Sequence, residues 1–249
     1  MRLWWLLLAV GCTGDKASEG ASSEGTTDSA EDTSADSGDS GDSGEDAVVP
    51  INATARLLDP MSGGGLVDLT VTSPFDGASC TSESDGRCTV VVAADQPFAL
   101  DVTGDAILPH RLQGEAADEA FETISFVANA SLTDQIYGLL GVSRDPNKGT
   151  VVVGLDNPDL SPAYGASASI DAPADLTFVF GTSRPIEGDA LVEGGFSIVT
   201  FVNVEPGAVT VTPTGAAGTN CLAAPAEQSS DFDVEVAAAV ISVVSFICR

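Results

Sequence analysis

Basic residues are scarce in this chain: 9 Lys and Arg stand against 37 Asp and Glu, a formal net charge of -28. A surface that acidic repels phosphate backbones, so nucleic acid is excluded as a natural partner. Histidine occurs once, at His110, and no two cysteines stand in a Cys-x-x-Cys pair. Zinc sites need clustered thiolates and imidazoles at short spacing, so neither a metal nor a metal cofactor is expected. Both tryptophans, Trp4 and Trp5, sit at the very start, and Tyr137 and Tyr164 are the only tyrosines. That leaves little stacking surface for sugars. A phosphate-binding loop, a dinucleotide glycine fingerprint and a His-Glu-x-x-His pair are all missing. With one histidine, any Ser–His–Asp triad would have to use His110, which lies between Pro109 and Arg111 and reads as a surface or satisfied polar side chain.

What the chain has is concentrated first at its beginning. Arg2 is followed by an unbroken apolar run from Leu3 to Val10, then Gly11 and Cys12. A positive start, a short apolar stretch and a small residue form the pattern of an export signal. The run is far too short for the ~20 apolar residues of a bilayer-spanning helix. An ordinary cleaved signal is the alternative. Leu8-Ala9-Val10-Gly11-Cys12 resembles the lipobox of bacterial lipoproteins, departing from it at Ala9, where the family prefers Leu. The resemblance implies cleavage after residue 11 and acylation of Cys12, palmitate included, with attachment to a membrane through that residue. Thr13, in place of the Asp that signals inner-membrane retention, implies the outer membrane of a bacterial cell envelope.

Residues 13–47 contain Ser, Gly, Thr, Asp and Glu, with no aromatic and no large aliphatic residue, and 36–44 are three copies of Asp-Ser-Gly. Such a segment buries too little apolar surface to offset its ordering entropy. It is expected to be a disordered acidic tether over 12–47, with an end-to-end distance of roughly 33 Å as a flexible coil. A weak calcium-binding run is the sharper alternative, but nothing fixes a ligand loop.

From residue 48 onward the texture changes to short Val-, Ala-, Thr- and Phe-rich runs broken by Gly, Pro, Asn and Asp. Ile51, Ala53, Ala55 and Leu57 alternate, as do Val67, Leu69 and Val71, and Phe98, Leu100 and Val102. This is the signal of an all-β fold built from sandwich modules. Ser84-Asp85-Gly86 predicts a hairpin turn between Cys80 and Cys88. Leu132, Ile136, Leu139 and Leu140 predict one short helix, capped by Ser131 and stopped by Gly141. Phe232 to Val236 and Val240 to Cys248 read as a closing hairpin. The organisation expected is a signal over 1–11, the tether over 12–47, a first β-sandwich over 48–130, a helical connector over 131–147 and a second β-sandwich over 148–249.

Five cysteines are one too many for an exported protein unless one is otherwise engaged. With Cys12 taken by lipid, four remain and allow three pairings. Local spacing favours Cys80–Cys88 and Cys221–Cys248, contributing roughly 2.5 and roughly 3.5 kcal/mol by loop entropy.

The strand, Asp/Pro/Gly turn and Gly-Ala-x-Ala strand at 165–168, followed by the stretch from Phe201 to Gly215, are similar to carboxypeptidase regulatory-like domains. The Ser84-Asp85-Gly86-Arg87 turn, followed by Thr89-Val90-Val91, resembles the same hairpin in a first, more divergent copy. The resemblance implies transthyretin-like, Ig-like β-sandwiches in tandem, and it supplies no catalytic residues. Gram-positive adhesin sandwiches carry internal Lys–Asn isopeptide bonds, and Lys148 with Asn203 is the pair that could form one here.

The function expected is a membrane-anchored lipoprotein presenting β-sandwich modules to an envelope or extracellular ligand, or as structural spacers, without catalysis and without cofactor. The alternative is a carbohydrate-active enzyme, or its sugar-binding accessory, using loop carboxylates between Asp156 and Tyr164. Asp156 with Asp159 and Asp118 with Glu119 are the candidate acid pairs. Thr81 to Gly86 echoes a calcium loop weakly, since Val92 stands where the final Glu ligand belongs.

Overall fold

The structure is a computed structural model that describes residues 48–249. The export signal, Cys12 and the acidic tether lie outside the described residues. The first half contributes β1 (Pro50–Leu58), β2 (Thr70–Thr72), β3 (Ser79–Thr81), β4 (Arg87–Ala93), β5 (Pro97–Thr103), β6 (His110–Glu115) and β7 (Phe121–Phe126). A single helix, α1 (Ala130–Leu139), follows. The second half contributes β8 (Gly149–Asp156), β9 (Ser167–Ile170), β10 (Leu176–Phe180), β11 (Pro185–Glu187) and β12 (Ile198–Val204). It ends with β13 (Gly207–Thr214), β14 (Cys221–Ala223), β15 (Phe232–Val236) and β16 (Ile241–Cys248). The fold is all-β with sandwich packing, as the alternation predicts.

The two sandwiches share a sheet. One ten-stranded sheet runs in the order β11-β10-β12-β8-β16-β6-β5-β2-β3, with β14 pairing β16 off that path. Two three-stranded sheets, β4-β1-β7 and β15-β13-β9, pack against it. They lie on opposite faces of the shared sheet, and β16 gives the reason. Side chains alternate along a strand. Val243 packs on the first core with Leu57, Leu100 and Leu112, while Val244, Phe246 and Cys248 belong to the second core with Val153, Phe201 and Val211. β16 runs parallel to both β6 and β8, with Val243 opposite Leu112 on one side and Val152 on the other.

The closing hairpin is not formed. β15 pairs β13 in a small sheet, and β16 crosses into the centre of the large one. The run from Ile241 to Cys248 is almost wholly apolar, which suits a strand covered on both faces and bordered on both edges.

The helix begins two residues earlier than its sequence suggests. Asn129, not Ser131, is the N-cap, its side chain accepting from the Leu132 amide at 2.8 Å. Tyr137 is buried, donates to or accepts from Thr150 Oγ1 at 2.7 Å, and meets Phe178 edge-on with ring centroids 6.4 Å apart. α1 therefore covers the face of β10 and β12 that the β15-β13-β9 sheet leaves bare.

Candidate functional site

Among the described residues the four cysteines are all bonded, Cys80 to Cys88 and Cys221 to Cys248. The first bond does not staple a hairpin. β3 pairs β2 in the large sheet and β4 pairs β1 in the small one, so Cys80–Cys88 ties two layers together. The turn itself is as expected, with Gly86 at φ +81° and its amide bonded to the Glu83 carbonyl. Leu57 donates its amide to the Gly86 carbonyl, and a Cβ at Gly86 would run into the Leu57 carbonyl, so glycine is required twice over.

His110 is 2 % exposed. Its Nε2 accepts from the Ala128 amide at 3.3 Å, so Nδ1 carries the proton and donates to the Leu108 carbonyl at 2.7 Å. Burial pushes its pKa down to about 4, the Leu108 carbonyl acting weakly the other way. Both nitrogens are occupied by backbone, and the ring ties the 108–110 segment to Ala128, the residue before the N-cap of α1.

The loop carboxylates have separate environments. Asp159 is exposed and its Oδ1 accepts both the Ser161 amide and hydroxyl, at 3.1 and 2.6 Å, which hold its pKa below the usual range. Asp156 ends β8 half-buried, and burial raises its pKa to about 6 against the lowering effect of the Ser197 hydroxyl. Tyr164 is exposed and donates to the Gly195 carbonyl at 3.4 Å. Asp118 and Glu119 lie together on the exposed connection between β6 and β7. Among the described residues no group of three or more His, Cys, Asp or Glu is placed to hold a metal ion, and the stretch from Thr81 to Gly86 is no exception.

Lys148 and Asn203 are brought together, and Asp175 stands between them. Asn203 Nδ2 donates to Asp175 Oδ2 at 3.0 Å, and Lys148 Nζ lies 3.4 Å from Asp175 Oδ1 and 3.2 Å from Glu205. Condensing the lysine amine onto the Asn203 carboxamide requires a neutral amine. Glu205 and Asp175 instead raise the Lys148 pKa, holding it as an ammonium ion. Asn203 serves the fold instead. It sits at φ +56° on a bulge in β12, accepts the Asp145 amide at 2.9 Å and donates to the Ser143 carbonyl at 2.9 Å. It thereby fastens the segment after α1 to the second sandwich. The left-handed backbone suits Asn among non-glycine residues.

A set of cross-layer bonds is absent from any sequence pattern. Gln113 on β6 donates Nε2 to the Glu235 carbonyl at 3.1 Å and accepts the Glu235 amide at 2.9 Å. Arg111, one pleat away on the same face, bridges Asp101 and Glu235, each at 2.7 Å. A first-half strand thus docks a second-half strand through a side-chain amide used as a strand edge.

No protein-family model matches the sequence, and no curated protein does. Solved structures similar to the chain include the TIE protein of Bacillus anthracis, at 10 % identity and TM-score 0.26 over 79 % of this chain. The chain spans 33 % of that protein's length. GBS52, the minor pilin of Streptococcus agalactiae, matches at 8 % identity and TM-score 0.27, covering 79 % of this chain and 94 % of the pilin. A streptococcal ancillary pilin matches at 11 % identity and TM-score 0.29, covering 80 % and 69 %.

Proposed function

We propose that the chain is a bacterial envelope lipoprotein held in a membrane, the outer membrane on the Thr13 reading, by an acylated Cys12. The 13–47 stretch is then a spacer, and the double sandwich is a module presented to an envelope or extracellular partner. No reaction is assigned to it. The observation that carries this reading is the cysteine account. Cys80–Cys88 and Cys221–Cys248 use four of the five thiols, as suits an oxidising compartment, and Cys12 has no partner left in the chain. The resemblance of the turns and of the stretch around Asn203 to carboxypeptidase regulatory-like domains supports a structural module.

Metabolic labelling with palmitate in a bacterial host tests it. The wild-type protein should take up label and fractionate with membranes, and Cys12→Ser should do neither. An unlabelled, freely soluble wild-type product would overturn the anchoring.

A further inference from the structure

The second sandwich is open along one flank. Its small sheet ends at β9, whose outer edge is met at Ser167 by a bridge to Ala190 and at Ala168 by the Asp189 carbonyl, and the shared sheet ends at β11. Between β9 and β10 lies a groove of about 450 Å³, within the size range of ligand clefts. The groove exists because small residues line it. Ala168 is buried at its floor beside Phe201, Ala172 and Ala174 form its side, and a Cβ added at Gly188 would meet nothing within 4 Å.

Two further features specify what fits. The Ala168 amide points away from β13 and donates to the Asp189 carbonyl at 3.1 Å. Ile170, two residues on, presents the same outer edge, and among the described residues no backbone group meets it there. The rim carries Asp175, Glu187 and Asp189. Asp175 is already compensated by Lys148, whereas Glu187 and Asp189 make no ion pair among the described residues. A strand edge left open at Ile170, a floor of Ala168 and Phe201 and an uncompensated negative rim together select an extended peptide.

We infer that this groove binds an extended, basic polypeptide segment of a partner protein, its backbone pairing with the edge at Ile170. Its small apolar side chains lie on the alanine floor, and a Lys or Arg reaches Glu187 and Asp189. The inference adds the partner's chemistry to the presenting-module reading but stands apart from Cys12, so loss of lipid labelling leaves it untouched.

The test uses the full chain and a fluorescent ten-residue peptide of alternating Lys and Val, capped at both ends. Because the whole protein is acidic, attraction alone proves nothing, and charge-matched variants decide. Glu187→Gln with Asp189→Asn should weaken binding about fivefold, as for two exposed charge pairs. Asp118→Asn with Glu119→Gln, an equal charge change elsewhere, should leave it unchanged. On the ¹⁵N-labelled wild-type protein the peptide should shift the amides of Ile170, Ala172 and Gly188. Equal weakening by both variants, equal binding of a Glu–Val peptide, no binding, or amide shifts scattered outside the groove would each overturn the inference.

Discussion

The two disulfides lie in different halves of the molecule and connect different things. Cys80–Cys88 closes a short loop, yet it joins the edge of the shared sheet to the facing sheet of the first sandwich. Cys221–Cys248 closes a longer loop, yet it joins directly opposed residues on neighbouring strands of one sheet. Sequence separation therefore ranks their entropic contributions but says nothing of which parts they connect. The first core is held across its layers by a covalent tie. The second is held across its layers by burial around Phe246, Phe201 and Val211, and its disulfide instead secures β14, which has no other strand beside it.

That contrast can be broken at several points. Phe246→Ala should have the largest effect, about 4 kcal/mol, because the ring is fully buried in the second core on the strand that also borders the first. Chemical denaturation should still follow one transition, since one sheet runs through both halves; two separated transitions would show that the halves melt independently. Replacing Cys221 and Cys248 by Ser should cost roughly 3.5 kcal/mol, and the same change at Cys80 and Cys88 roughly 2.5. Amide exchange should localise the first loss to β14 and the end of β16, and the second to the contact between β3 and β4.

Acid should act on the seam between the halves. The folded-state pKa of His110 is lowered to about 4 from 6.5, so the stability tied to its neutral form is complete above 6.5 and is lost as pH falls through 4. The full loss is on the order of 3 kcal/mol. Asp156 works the other way. With its pKa raised to about 6 from 3.8, it costs stability at neutral pH and is relieved as pH falls through that interval. Asp156→Asn should therefore raise the denaturation midpoint at pH 7, by on the order of 2 kcal/mol after allowance for partial exposure, and steepen the acid loss due to His110. Asn203→Ala should cost about 2 kcal/mol through its three bonds and its left-handed backbone. Intact-mass measurement should find no loss of ammonia from Lys148 and Asn203, since the amine is held charged.

Local features were legible in the sequence because local residues cause them. The alternation of Ala53, Ala55 and Leu57 places a half-buried strand, and Asp85-Gly86 places a turn, without knowledge of anything distant. Pairing is another matter. Nothing near β16 specifies that β6, over a hundred residues earlier, will lie beside it, although the apolar run from Val243 to Cys248, broken only by Ser245, does signal a strand without a solvent face. Ser131 lost the cap to Asn129 because both have suitable side chains and only the observed start of the helix chooses between them. The groove beside β9 was invisible for a similar reason: alanines in a β pattern read as ordinary core until the facing sheet is seen to end.

The seam strand comes after both of the strands it separates. As the chain emerges N-terminus first from a ribosome or a translocation pore, β6 and β8 must wait with bare hydrogen-bonding edges until Ile241 to Cys248 arrives between them. An unfilled slot of that kind invites mispairing with other chains. The shared sheet is accordingly complete only once the final strand has slid home.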